Sequence, residues 1–369
     1  MALNILALEP FYGGSHKAFL ENWIAHSRHR WDVLKLPAEN WKSRIRYSAF
    51  HFASELRKRQ APDLLFCSDL INLAELKSLA SPCLDSIPIV LYFHENQFTY
   101  PVQPPNQIDK NLAFHNLTSA AVATDVWWNS KFNLSEFLEA ATQFVSNYTE
   151  YNFPQYLAEI QSKSRVHYPA VDLAPPPLSR MATPTICWAA RWEYDKGPQL
   201  FFRALEILHR DSVNFKVNVM GEPGSYELKC FARAKATLGD HINRWGYQPT
   251  RQDYLAGLAE SDFFVSTAKH EFFGISVCEA VLCGAFPVLP KRLAYPEVMQ
   301  LEEYPQREQH FYSGDAEALA LLLKELIQQQ NADTLWQAPQ SELIDTFERY
   351  QMSQCAANMD AELERLTET

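Results

Sequence analysis

Short, almost wholly apolar runs alternate with longer amphipathic ones along this chain. LNILALE (3–9), WDVLKL (31–36), DLLFCS (63–68), IPIVLYFH (87–94) and DVWWNS (125–130) predict buried strands. AFLENWIAHS (18–27) and YSAFHFASELRKR (47–59) lie between them with helical spacing. Strand–helix alternation predicts a parallel sheet covered on both faces. YPAVDLAPPPLSRMATP (168–184) is proline-rich and aperiodic, as a linker would be. A second alternating series follows, with TICWAA (185–190), FKVNVMG (215–221), INRWG (242–246), DFFVST (262–267) and FPVLP (286–290) as strands. QLFFRALEILHR (199–210), YELKCFARAKATLG (226–239), DYLAGLAES (253–261) and ISVCEAVLCG (275–284) read as its helices. A last helical pattern from about Leu343 to Leu366 should return to the first domain.

The predicted architecture is therefore α/β, with two Rossmann-like doubly wound domains at 1–170 and 184–343. A linker at 171–183 joins them, and a C-terminal helix at 344–369 completes the first. Such sheets bind ligands at the carboxyl ends of their strands, so a cleft between the two domains is the expected ligand position.

Composition narrows the class. The chain has 369 residues, 47% of them hydrophobic and 13% aromatic, enough for two cores. No apolar run approaches the roughly 20 residues that cross a bilayer, and MALNILALEPFYGG does not read as a signal peptide. The seven cysteines lie mostly in apolar runs without CxxC spacing, which fits reduced thiols in a cytoplasm. No Cys/His cluster has metal-ligand spacing, so no metal site is expected. Net charge is −11, unevenly spread: residues 1–168 hold 15 basic and 16 acidic residues, and the remainder 18 and 28. Basic residues gather early, at Arg28 and Arg30, at Lys42, Arg44 and Arg46, and at Arg57, Lys58 and Arg59. These form either a solvated helix face or a patch for phosphates.

The candidate chemistry sits at strand exits. Gly13 and Gly14 follow the first strand and precede a helix, giving either a bare tight turn or a close approach to an anion. His94, Glu95 and Asn96 end an apolar strand and lead into QFTYPVQPPNQIDK (97–110), an irregular loop suited to shaping access. Arg191 and Lys196 follow the first strand of the second domain and could converge on one diphosphate. Gly221 and Tyr247 lie at two further glycine-bearing strand exits, where a base or phosphate could approach backbone, and both are donor-binding candidates.

KHEFFGISVCEA (269–280) is the most informative stretch. A helix starting near Gly274 and ending at Gly284 would leave the N–H groups of Ile275 and Ser276 facing an anion. Glu271 lies before that helix and Glu279 about one turn inside it. They suit two acceptors for two sets of hydroxyls, with phosphate between them, better than a metal-bridging pair.

The Glu-x7-Glu of Glu271 and Glu279, with Arg191 and Lys196 upstream and Gly13-Gly14 near the start, resembles the retaining GT-B glycosyltransferases of family 4. The resemblance covers nearly the whole chain. It implies that Arg191 and Lys196 hold the donor diphosphate and that Glu279 binds ribose. Glu271 and the backbone around Phe273 and Gly274 would meet the transferred sugar. It also implies that Gly14 allows closure on phosphate and that His94 lies near the sugar or acceptor. On this resemblance His94, Arg191, Lys196 and Glu271 are the catalytic candidates. Family members work without a divalent metal or a dedicated protein nucleophile, so no cofactor is expected.

More finely, LALEPFYGGSHKAF, YFHENQFTYPVQ, and FHNLTSA followed by WWNS are similar to the tRNA-queuosine α-mannosyltransferase group. That group transfers mannose from GDP-mannose to queuosine in tRNA-Asp. The expected partners are then a nucleotide-sugar donor and tRNA, with no protein partner inferred. The acceptor would be met by His16, Glu95, Asn96, Arg44 and Arg46. Two alternatives are the same fold acting on a lipid or polysaccharide acceptor, and a non-catalytic nucleotide-sugar or RNA-binding protein.

Overall fold

The computed structural model describes residues 2–101, 108–224 and 229–368. Residues 102–107 of the irregular loop expected after Asn96, and the start of the helix expected from residue 226, lie outside the described residues. The chain forms two compact units: Met1–Asp172 with Tyr350–Thr369, and Leu173–Arg349.

The first unit contains strands β1 (Asn4–Tyr12), β2 (Arg30–Pro37), β3 (Leu64–Ser68), β4 (Ile89–Phe93), β5 (Asp125–Trp128) and β6 (Ser164–Val166). Their order is β2-β1-β3-β4-β5-β6, and every pairing is parallel. Side chains alternate across the sheet with period two. Leu6, Leu8, Leu65, Cys67, Ile89, Leu91 and Phe93 enter one core. Ile5, Ala7, Leu64, Phe66, Val90 and Tyr92 enter the other. Burial on both faces is why these strands read as near-continuous apolar runs.

The second core is closed by Met352, Ala356, Met359 and Leu363 of the helix Met352–Thr367. Asp360 pins that helix. Its carboxylate accepts from buried Trp23 Nε1 (2.9 Å), Ser27 Oγ (2.9 Å) and the Arg28 N–H (2.8 Å).

The C-terminal pattern expected as one helix is two. Gln340–Phe347 belongs to the second unit, and Met352–Thr367 to the first. Between them Gln351 is extended and bridges Val171. The Val171 N–H donates to Tyr350 O (2.8 Å), and the Met352 N–H to Val171 O (2.7 Å). Tertiary pairing interrupts the helix where side-chain periodicity continues.

The second unit contains β7 (Thr185–Ala189), β8 (Lys216–Met220), β9 (Ile242–Gly246), β10 (Phe263–Val265), β11 (Phe286–Pro290) and β12 (Phe311–Tyr312). Their order is β12-β11-β10-β7-β8-β9, again all parallel. This is the doubly wound Rossmann order, with its reversal between β7 and β10. In the first unit the chain reverses between β1 and β3. Ligands of such sheets bind at those points, outside the carboxyl ends of the strands.

Candidate active site

In the second unit, the loops leaving β7 and β10 meet at the reversal point. Lys196 ends the single 3-10 turn Tyr194–Lys196, and Gly197 follows at φ 64°. A Cβ on Gly197 would lie 2.2 Å from Thr267 O, so only glycine permits the two loops this approach. Lys196 Nζ thereby lies 3.1 Å from Glu271 Oε2, 3.4 Å from Asp195 Oδ2 and 3.4 Å from His270 O. Burial alone would depress the ammonium, but Glu271 and Asp195 outweigh it and hold the pKa above its ordinary value. Burial and the Lys196 cation push neighbouring His270 down to about 4, so its imidazole is neutral. Arg191 is exposed, with Nη1 3.0 Å from Glu193 Oε1.

The segment after β10 continues to Gly274, which starts the helix Ile275–Leu282 at φ 108°. Intrahelical bonding begins with the Val277 and Cys278 N–H groups, both donating to Gly274 O. The N–H groups of Ile275 and Ser276 thus precede the helical ladder, as expected from the sequence. The helix closes with a Schellman pair: Ala285 N–H donates to Ala280 O (2.9 Å) and Gly284 N–H to Val281 O (2.8 Å), with Gly284 at φ 83°. Phe273 is buried beside this start.

Glu279 is buried on the same helix. Arg251 Nη2 lies 2.6 Å from its Oε1, and the Tyr254 hydroxyl donates to its Oε2 at 2.8 Å. Both partners come from the helix Arg251–Ala259, which follows β9. Gly221 leaves β8 at φ 143°, and a Cβ there would meet Ala190 O at 1.9 Å. Its first requirement is the contact between two strand exits. Tyr247, after β9, is 63% exposed, which leaves its ring available to a ligand.

The first unit assembles a second cluster where β1, β3 and β4 end side by side. Glu9 on β1 accepts from the Phe11 N–H (2.9 Å) and Ser68 Oγ (3.1 Å). His16, on the helix Gly14–His26, places Nδ1 3.3 Å from Glu9 Oε1. The His94 ring lies 4.0 Å from the His16 ring, and the His94 N–H donates to Asp69 Oδ1 (3.0 Å). Asp69 is fully buried, and its Oδ2 has no hydrogen-bond partner among the described residues.

Burial would discharge His16, yet the Glu9 carboxylate, with Asp69 and Glu95, raises its pKa to about 9. Burial and the His16 cation push His94 well below its ordinary value. Burial pushes the Asp69 carboxyl well up. The cluster therefore pairs a charged imidazole on Glu9 with a neutral imidazole at His94. Glu9, His16 and His94 also offer ligand atoms within 4.8 Å of one another. Linear spacing did not register this trio, because only the fold assembles it.

Known proteins resemble both units of this chain. Residues 4–171 match the model of the tRNA-queuosine alpha-mannosyltransferase N-terminal family, and residues 174–338 match the glycosyl transferases group 1 family. A tRNA-queuosine alpha-mannosyltransferase of Drosophila melanogaster is 35% identical over 312 residues, covering 81% of this chain and 82% of its own. The chain belongs to the tRNA-queuosine alpha-mannosyltransferase family. As a member of that family it is an enzyme, a glycosyltransferase of the GT-B fold. The fold is shared with the catalytic domain of Arabidopsis thaliana starch synthase IV, solved with ADP and acarbose. That domain has a TM-score of 0.74 over 100% of both chains at 12% identity. A GDP-mannose:cellobiosyl-diphosphopolyprenol alpha-mannosyltransferase of Xanthomonas oryzae is 23% identical over 225 residues, 57% of this chain and 58% of its own.

Within this family member, Lys196 and Glu271 touch, and the start of the Ile275–Leu282 helix follows them directly. His16 and His94 also touch. Glu95 is half-buried and accepts from Gln97 Nε2 (3.1 Å). Asn96 is fully buried. Its oxygen accepts from the Phe98 and Thr99 N–H groups (3.1 Å each), so it shapes the turn rather than offering its amide outward. Arg44 Nε donates to Pro37 O (3.2 Å), and Arg46 pairs with Asp109. Gly13 caps the Gly14–His26 helix with extended backbone, and Gly14 takes φ 52° with open space around its Cα.

Sequence reading did not single out Glu9, Asp69, Asp195, Arg251 or Tyr254. Glu9 and Asp69 were findable: each is an acid at the polar end of an apolar strand, the same signal that exposed His94. Arg251 and Tyr254 carry no such signal, since their role follows from how one helix packs on another.

Proposed function

We propose that this protein is a cytoplasmic retaining mannosyltransferase that moves mannose from GDP-mannose to queuosine in tRNA-Asp. The match of residues 4–171 to the N-terminal domain of that family carries the acceptor assignment. On this reading Lys196 and Arg191 bind the donor diphosphate. Lys196 stays charged beside Glu271 and Asp195, so it can oppose the negative charge that develops on phosphate as the glycosidic bond breaks. These cations, with the Ile275 and Ser276 N–H groups, supply the stabilisation that a divalent metal would otherwise provide, and no metal is required.

Glu279 accepts the ribose hydroxyls. A carboxylate offers about four acceptor sites, so Arg251 and Tyr254 orient it without exhausting it. Glu271 holds Lys196 with one oxygen and meets the sugar with the other. Neutral His94 can donate or accept a hydrogen bond at a sugar or acceptor hydroxyl. The queuosine hydroxyl attacks on the face that the leaving phosphate departs from, and its proton passes to that phosphate, so configuration is retained.

The test is a donor series with queuosine-containing tRNA as acceptor: GDP-mannose, GDP-glucose, UDP-glucose and ADP-glucose. Transfer from GDP-mannose is expected to dominate. Dominant transfer from a UDP-sugar would overturn the donor assignment while leaving the tRNA assignment standing.

A further inference from the structure

The helix Trp41–Leu56 and the turn after it contain a surface that the site above does not use. Its inward side is settled: Ile45, Ala49, Phe52, Ala53 and Leu56 are buried in the first unit. Its outward side carries two large aromatic rings among polar residues. Tyr47 is 62% exposed and Phe50 57% exposed. Ser43, His51, Ser54 and Lys58 are exposed with them. Positions 43, 47, 50, 51, 54 and 58 recur at three- and four-residue steps, so they share one face. Phe50, Ala53, Ser54, Arg57, Lys58 and Leu79 line a groove of about 370 Å³ at its end.

Charge runs with the aromatics. Residues 41–59 hold six basic residues, Lys42, Arg44, Arg46, Arg57, Lys58 and Arg59, against one acid, Glu55. The rest of the first unit holds 10 basic and 20 acidic residues, so this excess is local. Lys58 is 64% exposed and reaches Glu55 at 2.7 Å, an exchangeable surface pair.

We propose that this face is a docking surface for RNA. Tyr47 and Phe50 stack unpaired bases, and Arg57 and Lys58 meet the adjoining phosphates. The inference rests on the tRNA reading above and places the acceptor's outer contacts on this helix. Exposed aromatic rings interleaved with cations are what single-stranded nucleic acid recognises without base-edge contacts. A membrane surface fits less well, because an interfacial helix must bury an apolar face in lipid, and the aliphatic face of this helix is already buried in protein.

The experiment measures binding of an unmodified tRNA transcript and of vesicles containing phosphatidylglycerol across a salt series. Tyr47→Ala/Phe50→Ala, Arg57→Ala/Lys58→Ala and a charge-matched Arg203→Ala/Arg210→Ala control are compared with wild type. Loss of two stacked bases should weaken RNA binding about 30-fold or more and leave the salt slope unchanged. Loss of the two cations should flatten the slope by roughly 1.4–1.8. The control should match wild type, and all three should melt within a few degrees of it, because the substituted side chains are exposed. RNA binding by wild type that both face variants retain would overturn the surface and spare the tRNA reading. Vesicle binding without RNA binding would overturn both.

Discussion

Lys196 is a cation in surroundings that would discharge it, kept charged by Glu271 and Asp195. Lys196→Ala should therefore lower kcat by about 10²–10³, the cost of removing one preorganised group from developing charge. Circular dichroism and a near-normal melting temperature would separate that loss from misfolding. His16 makes the matching case in the other unit. Its pKa is raised from 6.5 to about 9, so the Glu9–His16 pair stabilises the fold fully below about pH 6.5. That contribution is lost as pH rises through about 9, and is worth on the order of a few kcal/mol. Glu9→Gln should be less stable than wild type at pH 6.5, with the gap closing by about pH 10. Urea denaturation at four pH values checks this, and a pH-independent gap would refute the charged pair. Glu271 and Glu279 were legible as single residues in sequence, because acids in an apolar stretch draw attention. Lys196, the partner of Glu271, was legible too, but Arg251 and Tyr254 were not, because they become neighbours of Glu279 only through tertiary contact.

The helix Met352–Thr367 is joined to the first unit by one buried carboxylate with three donors. Asp360→Ala leaves Trp23 Nε1 buried without an acceptor and frees the Arg28 N–H, and should cost about 2–4 kcal/mol. Asp360→Asn, which keeps an acceptor oxygen, should recover part of that. Thermal unfolding of both variants checks the order. Most strands were readable as buried apolar runs with few alternatives, since a sheet covered on both faces leaves no polar positions to confuse the pattern. The C-terminal break at Gln351 was not, because its cause is a backbone bridge to Val171, 180 residues away in sequence. The start of the Ile275–Leu282 helix was readable because Gly274 and Gly284 punctuate it, and both take positive φ.

Both sheets reverse strand order beside their clusters, at β1/β3 and β7/β10, so each unit places its polar residues where doubly wound sheets bind ligands. GDP-mannose should raise the melting temperature more than UDP-glucose at equal concentration, and Arg251→Ala should shrink that rise by loosening Glu279. Differential scanning fluorimetry measures both. What the whole molecule does rests on the acceptor. The direct measurement gives the enzyme labelled GDP-mannose and two preparations of tRNA-Asp, one carrying queuosine and one carrying guanosine at the same position, followed by nucleoside mass analysis. Label in mannosyl-queuosine from the first and none from the second is predicted. Equal labelling of both, or labelling of neither with transfer to a polyprenol diphosphate acceptor instead, would contradict it.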